Sequence, residues 1–163
     1  MKVIPLQSRH LITGLLVFIV LAVVGFAFVW PALVRAAEPT TAELAARAGA
    51  QAFASIDYQA GRATWERNLC KVSTEDACKV FSSDLGAMLW GGAERNETRQ
   101  KCLATAATRQ ATNGERQIWN VALTCTDLTT AEVTAGDMRV SIVEADGVWL
   151  FERPLFGEEA QND

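Results

Sequence analysis

The stretch CLATAATRQATNGERQIWNVALTC, residues 102–125, decides the fold of this chain. At its centre lies Asn113-Gly114, the kind of dipeptide that most strongly favours a two-residue type I′ hairpin turn. A hairpin centred there places Cys102 opposite Cys125 and gathers apolar side chains on the same face, where a slip of one residue would scatter them. These side chains are Ala104, Ala106, Trp119, Val121 and Leu123. We therefore predict a Cys102–Cys125 disulfide across the ladder, at a hydrogen-bonded pair, where the Cα separation is within disulfide range.

A second hairpin signal, Asp146-Gly147, follows in the chain. A two-residue turn there pairs Ile142 with Phe151 and Val140 with Arg153. Apolar residues alternate along both flanking segments, which is typical of half-buried strands. Together the two hairpins predict a four-stranded antiparallel sheet.

Two further cysteines, Cys70 and Cys78, precede the first hairpin. They are predicted to pair with each other by elimination, because an even number of cysteines outside the cytoplasm indicates disulfides. The chain has no CxxC motif, and its single histidine is His10, far from every cysteine. Neither a zinc site nor a redox centre is therefore predicted, and no cofactor or metal.

Three helices are predicted ahead of the sheet, and capping signals locate two of their starts. They run from Thr40, in a capping box with Glu43, to about Tyr58; from Arg62 to Leu69; and from Ser73 to Gly91-Gly92. The third helix carries an apolar stripe that we interpret as core. The stripe comprises Val80, Phe81, Leu85, Met88 and Leu89. Helices followed by an antiparallel sheet indicate an α+β domain.

Large aromatic side chains recur on the apolar faces of these elements. They are Trp65, Trp90, Trp119, Trp149 and Phe151. Two interpretations stay open: the side chains line an apolar pocket, or they fill the core. The close packing of small domains favours a filled core.

Ahead of this domain lies an uncharged apolar run, Leu11–Val34, of 24 residues. As a helix it would extend about 36 Å, enough to cross a hydrocarbon layer of about 30 Å with some tilt. A cleavable signal peptide is the alternative, but its apolar region is shorter, roughly 7–15 residues. Lys2 and Arg9 precede the run and only Arg35 follows closely, so the N-terminus is predicted to be cytoplasmic.

The chain is thus predicted to be a single-pass membrane protein with one domain outside the membrane. Its predicted parts are a cytoplasmic segment 1–10, an anchor 11–34, a linker 35–41, an extracytoplasmic α+β domain 42–156 and a disordered tail 157–163. All 19 acidic residues follow the anchor, while the net charge of the whole chain is −4. Because phosphate contact needs a positive surface, no nucleic-acid partner is predicted.

The order of anchor, helices and curled sheet resembles the nuclear-transport-factor-2-like (cystatin-like) cone on a membrane anchor. Stretches such as Ala52-Phe53-x-x-Ile56-Asp57-Tyr58 and Gly147-Val148-Trp149-Leu150-Phe151 contribute to the resemblance. With one anchor, it is similar to the inner-membrane scaffold component of bacterial type IV secretion and conjugation machines. It is also similar to the mammalian-cell-entry-associated membrane proteins of actinobacteria. The resemblance implies a non-catalytic protein that assembles with other envelope proteins and forms homo-oligomers.

An enzyme is the less favoured hypothesis. Related cones that catalyse reactions need a general acid or base, and here only Asp57 beside Tyr58 stands out. An Asp-Tyr pair at a helix end is more often a structural terminus. We therefore predict no catalytic residue and a scaffold of a bacterial envelope complex, in conjugative transfer or type IV secretion. The alternatives are an accessory protein of a lipid-import complex and a module that binds a small apolar ligand.

Overall fold

The computed structural model describes residues 40–156. The predicted cytoplasmic segment, the anchor Leu11–Val34 and the tail 157–163 lie outside the described residues, as does most of the linker. Within residues 40–156, no helix has the length and apolar character needed to cross a membrane.

The described domain is α+β, as predicted, with four α-helices and five strands among residues 40–156. The helices are α1 (Thr41–Ala54), α2 (Arg62–Cys70), α3 (Glu75–Phe81) and α4 (Asp84–Arg95), and a 3₁₀ turn spans Tyr58–Ala60. The strands are β1 (Ile56–Asp57), β2 (Arg99–Asn113), β3 (Arg116–Asp127), β4 (Val133–Ala145) and β5 (Val148–Leu155).

The sheet has five strands in the order β1-β2-β3-β4-β5, all antiparallel, and it is not closed. The prediction of four strands was therefore wrong by one. The missing strand is β1, where Ile56 pairs with Gln100 and Asp57 with Arg99. Helix α1 was predicted to continue to Tyr58, but Ser55 is extended and turns the chain into this short strand.

Helix α1 begins as predicted, because the Thr40 side chain accepts a hydrogen bond from the Glu43 N–H. The helix packs across the sheet through small side chains such as Ala46 and Ala50, which are fully buried. At Gly49 a Cβ atom would lie 2.2 Å from the Phe151 ring. Only glycine therefore permits this close approach of α1 to β5.

The hairpin β2–β3 brings Cys102 opposite Cys125, as predicted, but by a different route. Its turn is Gly114-Glu115, one residue later than the predicted Asn113-Gly114, since Asn113 pairs with Arg116. Positive φ falls on Gly114 alone of the central pair, as in a type II′ turn. Two register shifts, one on either side of residues 106–109, restore the expected alignment at the cysteines.

The bulges also change which side chains face the core. Ala104 is buried as expected, but Ala106, just past a bulge, is exposed. The Cys102 N–H donates to Ser55 Oγ at 3.0 Å, and the Cys102 carbonyl accepts from the same hydroxyl at 3.3 Å. Because these backbone groups point away from β3, Cys102 and Cys125 form a non-hydrogen-bonded pair, with Cα atoms 3.9 Å apart. The predicted hydrogen-bonded pair was wrong.

The hairpin β4–β5 turns at Asp146-Gly147, as predicted, with φ of 52° and 76°, both positive as a type I′ turn requires. Ile142 pairs with Phe151, which confirms the register near the turn. The predicted pairing of Val140 with Arg153 was wrong, because Glu152 is an extra, unpaired residue on β5, and this bulge shifts Val140 to face Pro154.

The third predicted helix is two helices, α3 and α4. The chain breaks at Ser82-Ser83, and the Ser83 side chain accepts from the Leu85 N–H to cap α4. Helix α4 then continues past Gly91-Gly92 to Arg95, so its predicted end was too early. The break turns the apolar stripe outward, with consequences for the candidate site.

Candidate functional site

The predicted aromatic set lies in or against one hydrophobic core. Trp65, Trp90 and Trp119 are buried, Phe151 has no exposed surface, and Trp149 is half-buried against the same cluster. The rings contact one another. Phe81 stacks on Phe151 with ring centroids 6.0 Å apart, and the ring centroids of Trp65 and Trp90 are 5.9 Å apart. At these places the aromatic side chains pack on each other, as rings in a filled core do.

The indole groups of this core have hydrogen-bond partners. Trp65 Nε1 donates to the Phe53 carbonyl at 3.2 Å, and Trp119 Nε1 donates to Gln117 Oε1 at 3.0 Å. Satisfied donors lower the cost of burying these side chains and fix their orientation.

Both predicted cysteine pairs are joined. Cys70 and Cys78 lie at disulfide distance, with S–S 1.99 Å, and link the end of α2 to α3. Cys102 and Cys125 lie at 2.00 Å and cross-link β2 to β3. The residues are thus two structural bridges, one in the helical part and one in the sheet.

Asp57, the candidate base, is engaged in structural contacts. Its Oδ1 accepts from Arg99 Nε at 3.0 Å and from the Gln59 N–H at 3.2 Å, which caps the 3₁₀ turn. The hydrogen bond from Arg99 is the main cause that holds the pKa of Asp57 below its usual range. Among residues 40–156, no cluster of three or more metal-ligating side chains occurs.

A concave feature of residues 40–156 that is suited to a partner is an apolar groove of about 690 Å³. Helices α3 and α4 form one side, and strands β4 and β5 with Phe156 form the other. The main apolar residues of this apolar groove are Val80, Phe81, Leu85, Leu89, Pro154 and Phe156. A smaller depression of about 450 Å³ lies between the start of α1 and the Asp146-Gly147 turn, beside Trp149.

The apolar groove exists because the chain turns sharply between α3 and α4. At Gly86 a Cβ atom would lie 1.7 Å from the Phe81 carbonyl oxygen, so the two helices meet where only glycine fits. Arg62 holds the corner from α2, donating to the carbonyls of Ser82 at 3.2 Å and Ser83 at 2.9 Å.

The apolar stripe that was interpreted as core supplies the walls of this groove. Phe81 alone of the predicted stripe is buried, and Val80, Leu85 and Leu89 are exposed, as is Met88 with 65% of its surface accessible. The prediction was wrong because a continuous helix would have kept the stripe on one face. The corner at Ser82-Ser83 redirects the second half of the stripe.

Charged side chains border the apolar groove. Glu152 accepts from Arg116 Nε at 2.9 Å and from Ser141 Oγ at 2.7 Å. Burial raises the pKa of Glu152, but these hydrogen bonds outweigh it, and the net pKa is lowered. Asp76, in the first turn of α3, is strongly exposed and pairs with Lys79 at 3.3 Å.

A comparison of the sequence with models of known protein families finds no match, and a comparison with curated proteins finds none either. The geometry of residues 40–156 therefore carries the functional argument. It provides a cluster of buried aromatic side chains, two disulfide bridges and an apolar groove among the features described above.

Proposed function

We propose that this chain is a non-catalytic, membrane-anchored assembly protein of a bacterial envelope complex that uses the apolar groove to dock its partner. The observation that carries the proposal is the exposure of Val80, Leu85 and Leu89 on the groove walls. Contiguous exposed apolar surface lined by polar residues is typical of protein interaction sites.

The remaining features support the same role. The run Leu11–Val34 has the length of a single-pass anchor, and both disulfides suit a domain outside the cytoplasm. Asp57, ion-paired and capping a turn, has a structural role rather than that of a base. We propose the type IV secretion and conjugation machines as the setting, on the resemblance in element order given by the sequence; helices packed on an open antiparallel sheet are consistent with it.

A small apolar ligand is the second candidate, and the groove volume favours it. A volume of about 690 Å³ falls within the range of small-molecule sites. In that case the chain would be a ligand-binding module, for example in a lipid-import complex. The two functions differ in whether the groove contacts a protein in the native membrane.

The test is site-specific photo-crosslinking of the full chain in its native membrane. A benzophenone side chain replaces Leu85 on the groove wall or, as a control, the somewhat more accessible Leu103 on β2. We expect crosslinks from position 85 to a defined envelope protein, identified by mass spectrometry, and few from position 103. Equal crosslinking at both positions, or crosslinks to lipid alone, would contradict the assembly function.

A further inference from the structure

Resting on the proposed function, we infer that the apolar groove binds an amphipathic α-helix of a partner protein whose polar face carries lysine or arginine. The helix would insert apolar side chains at positions i, i+3, i+4 and i+7 between the helical wall and the sheet wall. Three observations support this occupant: the closed edge of β5, the composition of the walls and the charge around the groove.

The closed edge of β5 argues against an added strand. The Phe151 N–H donates to the Val72 carbonyl at 2.9 Å, and the Phe151 carbonyl accepts from the Thr74 N–H at 2.9 Å. Three residues further along β5, Pro154 has no N–H to offer. A strand would find few backbone partners here, so recognition must rely on side chains.

The walls of the apolar groove suit such side-chain anchors. Val80, Leu85 and Leu89 face it from α3 and α4, and Val143 and Pro154 face it from the sheet. Both sides are held by hydrogen-bonded elements, so the groove is preformed. A preformed apolar groove binds a helix at a lower ordering cost than a flexible surface.

The charges around the groove favour a basic partner. Asp76 and Glu152 lie on the groove and Glu75 and Asp84 lie beside it in the first turns of α3 and α4, so the carboxylates outnumber the nearby cations, which are Lys79, Arg116 and Arg153. Asp76 lies on the groove itself and its side chain is 94% exposed. A helix with a basic face would be attracted to this excess of carboxylates and oriented by it.

The chain's own C-terminus is chemically unsuited to the groove. After Phe156 the sequence continues as Gly157-Glu158-Glu159-Ala160-Gln161-Asn162-Asp163, with three carboxylates and no large apolar side chain. Burying those carboxylates against apolar walls would be unfavourable. Residues 157–163 are therefore not the occupant that we infer.

The test uses the full chain in nanodiscs of zwitterionic phosphatidylcholine and a fluorescent synthetic peptide. The peptide has leucine at i, i+3, i+4 and i+7 and lysine elsewhere on a helix-forming alanine background. Anisotropy is measured against empty nanodiscs, with a glutamate-for-lysine peptide and a scrambled peptide as controls. We expect roughly a tenfold loss of affinity for Leu89→Asp, because it places a charge where an apolar anchor binds.

The matched control is Leu103→Asp, which adds the same charge at another exposed leucine and should change the affinity less than about twofold. Asp76→Asn with Asp84→Asn should weaken binding several-fold and reduce its salt dependence. Leu85→Asp provides a second groove variant, and circular dichroism checks that each variant is folded.

Four results would overturn the inference. Three of them are equal binding by Leu89→Asp and the unaltered chain, equal binding of the glutamate peptide, and binding of cis-parinaric acid with no peptide binding. Self-association abolished by Leu89→Asp without peptide binding would assign the groove to a second copy instead. Each of these outcomes leaves the crosslinking test intact, so the assembly function and the identity of its partner fail separately.

Discussion

The two edges of the sheet are built differently. At β5, the segment Val72–Thr74 hydrogen-bonds to Phe151, helix α3 contacts the strand, and Phe151 is fully buried. At β2, among the described residues, no strand pairs beyond Gln100 on the outer side. There, residues 105–113 are mostly exposed and polar, with two bulges.

The covered edge at β5 contributes to the stability of the fold, whereas the open edge at β2 is built to avoid pairing with other chains. A covered edge can carry large apolar side chains, and here it also borders the apolar groove. An open edge invites pairing with other chains unless polar side chains and bulges interrupt it. We therefore expect changes at β5 to affect folding and equivalent changes along outer β2 to affect it little.

The largest expected effect comes from Phe151→Ala, which removes the side chain at the centre of the covered edge. Loss of a buried phenylalanine costs about 3–5 kcal/mol, because transfer energy and packing are both lost. The control Thr108→Ala, on exposed β2, should stay within about 0.5 kcal/mol. Urea denaturation of the full chain in mild detergent, followed by tryptophan fluorescence, measures both values. Similar losses for the two variants would contradict the division between the edges.

A smaller effect is expected from removing the disulfides one pair at a time. The bridges enclose sequence separations of 23 and 8 residues. Loop-closure entropy then predicts losses of about 3.4 kcal/mol for Cys102–Cys125 and about 2.5 kcal/mol for Cys70–Cys78.

The variants are Cys102→Ala with Cys125→Ala, and Cys70→Ala with Cys78→Ala. The free energy of unfolding of each double variant is measured by the same urea titration, and the two values are compared. A larger loss at Cys70–Cys78 would show that the helical corner beside β5, rather than the open β2 side, depends more on its covalent bridge.

The smallest effect concerns pH at the β5 side. The pKa of Glu152 is lowered in the fold from its ordinary value of 4.5. Its contribution to stability is therefore complete above that value and is lost as pH falls through the lower folded pKa. Glu152→Gln should cost about 0.5–1 kcal/mol at pH 7, the scale of a partly exposed ion pair. It should also flatten the loss of stability between pH 5 and pH 3, and an unchanged acid profile would contradict this.

The sequence predicted strand pairings close to a turn better than pairings further along a strand, where bulges shift the register. The Asp146-Gly147 turn and the Ile142–Phe151 pair were correct because the pair lies close to the turn. The Cys102–Cys125 pair was correct although the turn position was not. Bulges have no strong signature in a threonine- and alanine-rich strand, so the two compensating shifts could not be read from the residues.

The candidate site was missed for a related reason. The stripe of Val80, Leu85 and Leu89 has a helical period, and a continuous helix was the simplest structure consistent with it. The available signal was Ser82-Ser83-Asp84, since serine before an acidic first turn is a frequent N-cap. Whether a capped break redirects a stripe depends on tertiary contacts such as those of Arg62 and Gly86, which lie outside any local pattern.

The two bulges of β2 give the hairpin spare length. Between the disulfide and the turn, β2 has eleven residues, 103–113, where β3 has nine, 116–124. Deleting one residue near either bulge would flatten that bulge and leave both cysteines opposite each other. Deleting one residue of β3 would instead demand a third bulge. Insertions and deletions among relatives of this chain should therefore accumulate on β2, with the cysteine spacing varying while the bridge persists.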